Sequence, residues 1–176
     1  MRWGFAILLM LGLASCGGED ERVAPAAGEA SSAVAVLDAK GLAAELVARK
    51  GQPLLVNFWA RWCTPCVAEL PDLEAVRPLL QEAGGDVLGF TMDLWAPGYE
   101  LDEARAELPG FLAERGLTFP VFLYGDTDPI PVLEEFGVPG DLPFTMVLDR
   151  SGAVVEIHEG QASAEELEAL VRRATG

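Results

Sequence analysis

The sequence predicts an α/β domain: a mixed central sheet of about five strands with helices on both faces. Three observations predict it. Short apolar runs alternate with stretches of helical spacing through the middle of the chain. The last two apolar runs flank the turn Asp149-Arg150-Ser151-Gly152, which makes them an antiparallel hairpin. The chain has 176 residues, 51% of them hydrophobic, which suits one packed core.

Each element has a local reason. Residues 42–49 set Leu42, Leu46 and Val47 at helical spacing, and Gly51 stops the helix. After Pro53, residues 54–59 are a short apolar run typical of a buried central strand. Residues 64–81 are helical, with Leu70, Leu73, Val76 and Leu80 on one side. Pro71 and Pro78 interrupt that stretch and predict a kink or break. Residues 86–92 are a second strand, and 102–115 a second long helix, disturbed at Pro109-Gly110. Residues 119–124 are a third strand, and 131–136 a short helix closed by Gly137. Residues 144–148 and 153–158 form the hairpin. Ser163-Ala164-Glu165-Glu166 is a capping box opening a last helix over 164–173, with Arg172 and Arg173 in its final turn, where cations suit the helix dipole.

Composition excludes several classes. Twelve basic side chains against 28 acidic ones give a net charge of −16, which repels phosphate backbones, so no nucleic-acid partner is expected. The apolar fraction excludes global disorder. Three cysteines cannot staple a disulfide mini-protein, and with a single histidine they are too few for a closed zinc site unless all converge.

The N-terminus reads as a targeting segment. Arg2 precedes an apolar run over residues 3–14, too short for the ~20 residues of a spanning helix but sized as a signal-peptide core. Leu13-Ala14-Ser15-Cys16 resembles a bacterial lipobox. Residues 1–15 are thus expected to be a signal peptide, with Cys16 lipidated. The alternative is an ordinary cleaved signal in which Cys16 is incidental. Residues 16–33, rich in Gly, Ala, Ser and acidic side chains, read as a tether with a reach of roughly 20 Å. The globular domain is expected over 34–176, on the extracytoplasmic, periplasmic side of a membrane.

The chemistry lies at Trp62-Cys63-Thr64-Pro65-Cys66. A C-x-x-C between a strand and a helix puts its first cysteine at the helix N-terminus, where unpaired N–H groups and the dipole stabilise a thiolate. Pro65 suits the first helical turn. Cys63 is the predicted attacking thiol and Cys66 the more buried resolving one. Such a pair is also half of a metal site, with only Cys16 and His158 left to complete it, or a structural disulfide whose tiny loop stabilises little.

Residues 56–66, followed by Glu69-Leu70-Pro71, resemble the thioredoxin superfamily, and most closely its extracytoplasmic TlpA/ResA-like branch. Residues 140–149 with Gly152 are similar to the family's segment carrying a cis-proline before a strand. The resemblance spans residues 35–175. It implies a thioredoxin fold, reversible dithiol–disulfide exchange, and Pro143 in cis beside Cys63, with exposed backbone there for pairing with a partner. An ordinary turn proline is the bland alternative.

Other positions carry weaker expectations. Asn57 stands where cytosolic thioredoxins carry a buried Asp, and an amide cannot shuttle a proton. Asp93 is the nearest candidate for the acidic residue this branch places after the second strand; a plain loop carboxylate is the alternative. Glu69 reads as a helix charge, with tuning of the redox site as the alternative. His158 reads as a surface or packing histidine. Trp62 is expected on an apolar docking surface and Trp59 in the core. Residues 94–110, with Trp95 and Pro97-Gly98-Tyr99, exceed what a minimal thioredoxin needs and are placed to shape partner choice.

Three functions compete. The leading one is a membrane-tethered thiol–disulfide oxidoreductase that exchanges with protein thiols and disulfides, as a reductant, and needs no cofactor. The resemblance implies partners such as apocytochrome c or copper-site proteins, and a membrane redox partner as electron donor. The others are a copper- or metal-handling module built on Cys63 and Cys66, and a redox-inactive interaction scaffold.

Overall fold

The computed structural model describes residues 34–176; the predicted signal segment 1–15 and the tether 16–33 with Cys16 lie outside the described residues. The elements run β1 (Ala35–Leu37), α1 (Ala39–Ala48), β2 (Leu54–Trp59), α2 (Thr64–Glu82), β3 (Asp86–Thr91), a 3-10 turn (Asp93–Trp95), α3 (Leu101–Glu114), β4 (Val121–Tyr124), α4 (Ile130–Phe136), β5 (Phe144–Leu148), β6 (Val154–Glu159) and α5 (Ala164–Thr175). The sheet order is β1-β4-β3-β2-β5-β6. The first four strands in that order are parallel, and β5 and β6 are antiparallel to their neighbours.

The mixed sheet has six strands where about five were expected. The extra one, β1, is three residues long, too short for a period-two pattern to be visible in sequence. It exists because β4 offers an open edge, which Ala35, Val36 and Leu37 pair with in parallel.

Every residue of β2 is buried, because the sheet is covered on both faces. Alternation along β2 sends Leu55 and Trp59 into one core, with α2, α3 and α5. Leu54, Val56 and Phe58 go to the other, with α1 and α4. On that second face Phe58 stacks on Phe144 and meets Phe90 edge-on, with ring centroids 4.4 and 5.5 Å apart.

The break expected in the long helix does not occur: α2 is one helix with Pro71 and Pro78 inside it. An interior proline costs about 3 kcal/mol. Leu70, Leu73, Val76 and Leu80 are all buried along one side, and each is worth about 1.5–3 kcal/mol, so packing outweighs both prolines. Likewise α3 runs through Pro109, held by buried Ala104 and Leu108.

Gly89, in the middle of β3, is required by packing. A Cβ there would lie 2.9 Å from Phe119 Cε2 and 3.0 Å from Trp59 Nε1. The missing side chain is the space Trp59 occupies. The Trp59 indole stacks on Phe111 of α3, with centroids 5.7 Å apart, and so ties β2 to the helix beside the cysteines.

Candidate active site

The cysteine pair sits where β2 ends and α2 begins. Cys63 is the N-cap of α2: its backbone is extended, and its Sγ accepts the Cys66 N–H at 3.3 Å. Pro65 lies in the first turn, where no intrahelical donor is lost. Cys63 and Cys66 are joined in a disulfide with Cα atoms 5.2 Å apart. Cys66 has no exposed surface and Cys63 retains 6%, the order expected of a resolving and an attacking sulfur. Since anions are stabilised at that helix end, the donor that now faces Cys63 Sγ is in place to stabilise a thiolate.

Glu69 corrects the sequence reading. It is not a solvated helix charge but is fully buried, three residues past Cys66 on the same face of α2. Its two oxygens lack a well-formed hydrogen bond. Burial pushes its pKa up to about 7; the Ala162 backbone amide opposes this, while Asp72 and Glu166 add to it. A carboxyl balanced near neutrality therefore lies one turn from Cys66. Nothing in the spacing alone distinguished it from a surface glutamate; the packing of α5 against α2 buries it.

Asn57 is buried on β2 opposite Thr145 of β5, to whose Oγ1 it donates at 3.0 Å, while its own carbonyl oxygen has no partner. Leu142 and Pro143 are joined by a cis peptide, and Leu142 packs against the cluster that contains both cysteines. His158 pairs in register with Thr145 on the next strand, with its Nε2 buried and unpartnered.

Asp93 opens the 3-10 turn after β3 and is fully buried. Its Oδ1 accepts the Arg61 backbone N–H at 2.8 Å and the Thr91 hydroxyl at 2.9 Å. Its Oδ2 accepts Arg61 Nε at 2.6 Å. These contacts tie it to Arg61, in the loop before Cys63. Arg61, which the sequence did not single out, also donates to Glu107 of α3 at 2.8 Å. Its available signal was a cation two residues before the nucleophile in an acidic chain. Trp59 is fully buried, and Trp62 is 39% exposed with its Nε1 donating to the Asp93 carbonyl at 3.0 Å. Among the described residues, no group of three or more His, Cys, Asp or Glu side chains converges on one point.

Comparison with known proteins adds to this geometry. A model of the Redoxin family matches residues 26–171. The chain is similar to the thiol-disulfide oxidoreductase ResA of Bacillus anthracis, 30% identical over 140 residues that cover 80% of this chain and 73% of that protein. It also resembles the crystal structure of a secreted thiol-disulfide isomerase from Corynebacterium glutamicum, with a TM-score of 0.60, 26% identity and 74% of each chain covered. A third likeness is to the exposed lipoprotein thioredoxin of Streptococcus pneumoniae, with a TM-score of 0.50 and 27% identity over 73% of this chain and 89% of that one.

Proposed function

This chain belongs to the Redoxin family and is a thiol–disulfide oxidoreductase acting on protein thiols or disulfides; from that premise we propose that it reduces protein disulfides from a lipid anchor at Cys16 on the extracytoplasmic face of a membrane. The observation that carries the chemistry is Cys63 capping α2, with its disulfide partner Cys66 one turn before the buried Glu69.

In the reduced protein, the Cys63 thiolate attacks one sulfur of a partner disulfide. A Cys63–partner S–S bond forms, the partner's own S–S bond breaks, and its second sulfur leaves as a thiolate. Cys66 gives its proton to the Glu69 carboxylate and attacks the Cys63 sulfur. That step forms the Cys63–Cys66 disulfide and releases the partner's first sulfur as a second thiolate. Two electrons have passed to the partner, and the oxidised state seen in the structure remains. A dithiol donor from a membrane redox partner runs the same exchange backwards to restore the thiols. Asn57 takes no proton in this scheme, which leaves Glu69 as the acid–base group.

In this reading the substrates are accessible cysteine pairs such as those of apocytochrome c or a copper-site protein. Trp62 and the backbone before Phe144 form the contact surface, with Leu142–Pro143 turning the chain toward the cysteines. Two things support the anchor: the Leu13-Ala14-Ser15-Cys16 motif, and the likeness to a lipoprotein thioredoxin. No described helix is long and apolar enough to cross a membrane.

The test is covalent trapping. Cys66→Ser should accumulate mixed disulfides with partners through Cys63, because the resolving thiol is gone, and should abolish turnover. Cys63→Ser should trap few. Faster alkylation of Cys66 than of Cys63 at low pH in the reduced protein would reverse the assignment.

A further inference from the structure

A buried ion-pair network lies beside the cysteines and takes no part in the exchange steps above. Asp93 accepts from Arg61 twice, through the backbone N–H at 2.8 Å and through Nε at 2.6 Å. Its backbone carbonyl accepts from Trp62 Nε1 at 3.0 Å. The two residues immediately before the nucleophile are therefore both fastened to one residue of a different element. The network extends outward: Arg61 Nη1 reaches Glu107 of α3 at 2.8 Å, and the guanidinium lies 5.4 Å from the centre of the Tyr99 ring. Side-chain exposure falls from 57% at Glu107 to 9% at Arg61 and none at Asp93, so the inner pair is out of water. Removing either partner of such a pair strands a buried charge, so the contact resists being broken.

We propose that Asp93 is a positioning residue that fixes the Trp62 ring, directly through its backbone carbonyl and indirectly by anchoring Arg61 in the loop before Cys63, as a preformed contact for polypeptide partners. This rests on the reading of Cys63 as the attacking thiol. Both Asp93 oxygens are occupied by fixed donors, Thr91 Oγ1 being the third, so its part is geometric rather than proton transfer. Trp62 is the exposed aromatic next to Cys63, at 39% exposure. A ring held in its bound pose before contact spares the ordering cost that association otherwise incurs. A polypeptide disulfide, which lies across the ring, gains from this; a small disulfide, which meets only the sulfur, gains far less.

The experiment compares two electron acceptors for the reduced full chain, insulin and glutathione disulfide, and reads the ratio of their second-order rate constants. Asp93→Asn keeps the shape and one acceptor oxygen but removes the charge that holds Arg61. The ratio should fall about tenfold, the loss expected for one charge-assisted hydrogen bond. Trp62→Phe removes the indole N–H through which the ring is held and should likewise lower the ratio about tenfold. With Trp62→Phe already present, Asp93→Asn should lower it no further, since both act through the same ring. A ratio unchanged in Asp93→Asn, or losses that simply multiply in the double variant, overturns the proposal. Should Asp93→Asn fail to fold, Arg61→Gln, which removes the Nε donor to Asp93, is read in its place, and an unchanged ratio there overturns the proposal. Wild-type protein that reduces neither acceptor refutes the oxidoreductase reading itself and takes this proposal with it.

Discussion

Glu69 is the residue whose burial has the largest chemical consequence. Its folded-state pKa, raised to about 7 from 4.5, lies above the value it has in an unfolded chain. Folding therefore favours the protonated form. The stability this group contributes is complete below about pH 4.5 and is lost as pH rises through about 7. The full loss is about 3 kcal/mol. Glu69→Gln removes that dependence, so the variant should gain about 3 kcal/mol on wild type between pH 4 and pH 8. Urea midpoints at both pH values read this directly, and an equal difference at the two would refute the buried-carboxyl account. The same variant should lengthen the life of the mixed disulfide above pH 7, where wild-type Glu69 is ionised and able to take the Cys66 proton. At this scale the cysteines and Pro65 were legible because each is tied to local backbone geometry, and Pro143 was legible only through the family resemblance. The sequence spacing put Glu69 on the Cys66 face but said nothing about what covers that face.

At the scale of elements, position in the chain set most boundaries and packing set the rest. The strand at Leu54–Trp59 and the last strand pair follow from short-range pattern and turn chemistry. The capping box at Ser163 forms as read, with the Ser163 hydroxyl accepting the Glu166 N–H and the Glu166 carboxylate accepting the Ser163 N–H. The prolines of α2 mislead, because local cost is compared there with a buried face that no window of sequence displays. Gly89 carries the converse lesson. It looks like a weak point in a strand, and it is a fitted contact under Trp59. Gly89→Ala should push the Trp59 ring or Phe119 and destabilise the fold by about 1–3 kcal/mol, as overpacking of a full core does. Thermal melts of the variant would show it, and a Tm equal to wild type would mean the contact relaxes freely.

For the whole molecule, the parallel strands β1, β4, β3 and β2 share one direction, so β2 delivers Cys63 at the end of the sheet where the 3-10 turn and the start of α3 also lie. The antiparallel β5 brings its beginning, and with it Leu142 and Pro143, to that same end. The 260 Å³ cleft lined by Trp95, Pro97 and Tyr99 opens in the segment after β3 that exceeds a minimal thioredoxin. The proposed anchor at Cys16 is tested on the full chain. Cys16→Ser should release the protein into the soluble fraction with its exchange activity intact, because the chemistry is assigned to residues 57–143. Wild-type protein that carries no lipid and fractionates as soluble would contradict the anchor.

The fold class and the cysteine pair with its helix-capping place were readable in the order of residues alone, and the proline before β5 in the family resemblance. These depend on neighbours a few residues apart, where backbone sterics and hydrogen-bonding periodicity act. The burial of Glu69, the pairing of Arg61 with Asp93 across 32 residues, the continuity of α2 and the three-residue strand at the sheet edge emerge only in the folded chain. Those outcomes turn on desolvation and close packing between distant segments. A carboxyl's charge, like a proline's cost, is settled by what the folded chain lays against it.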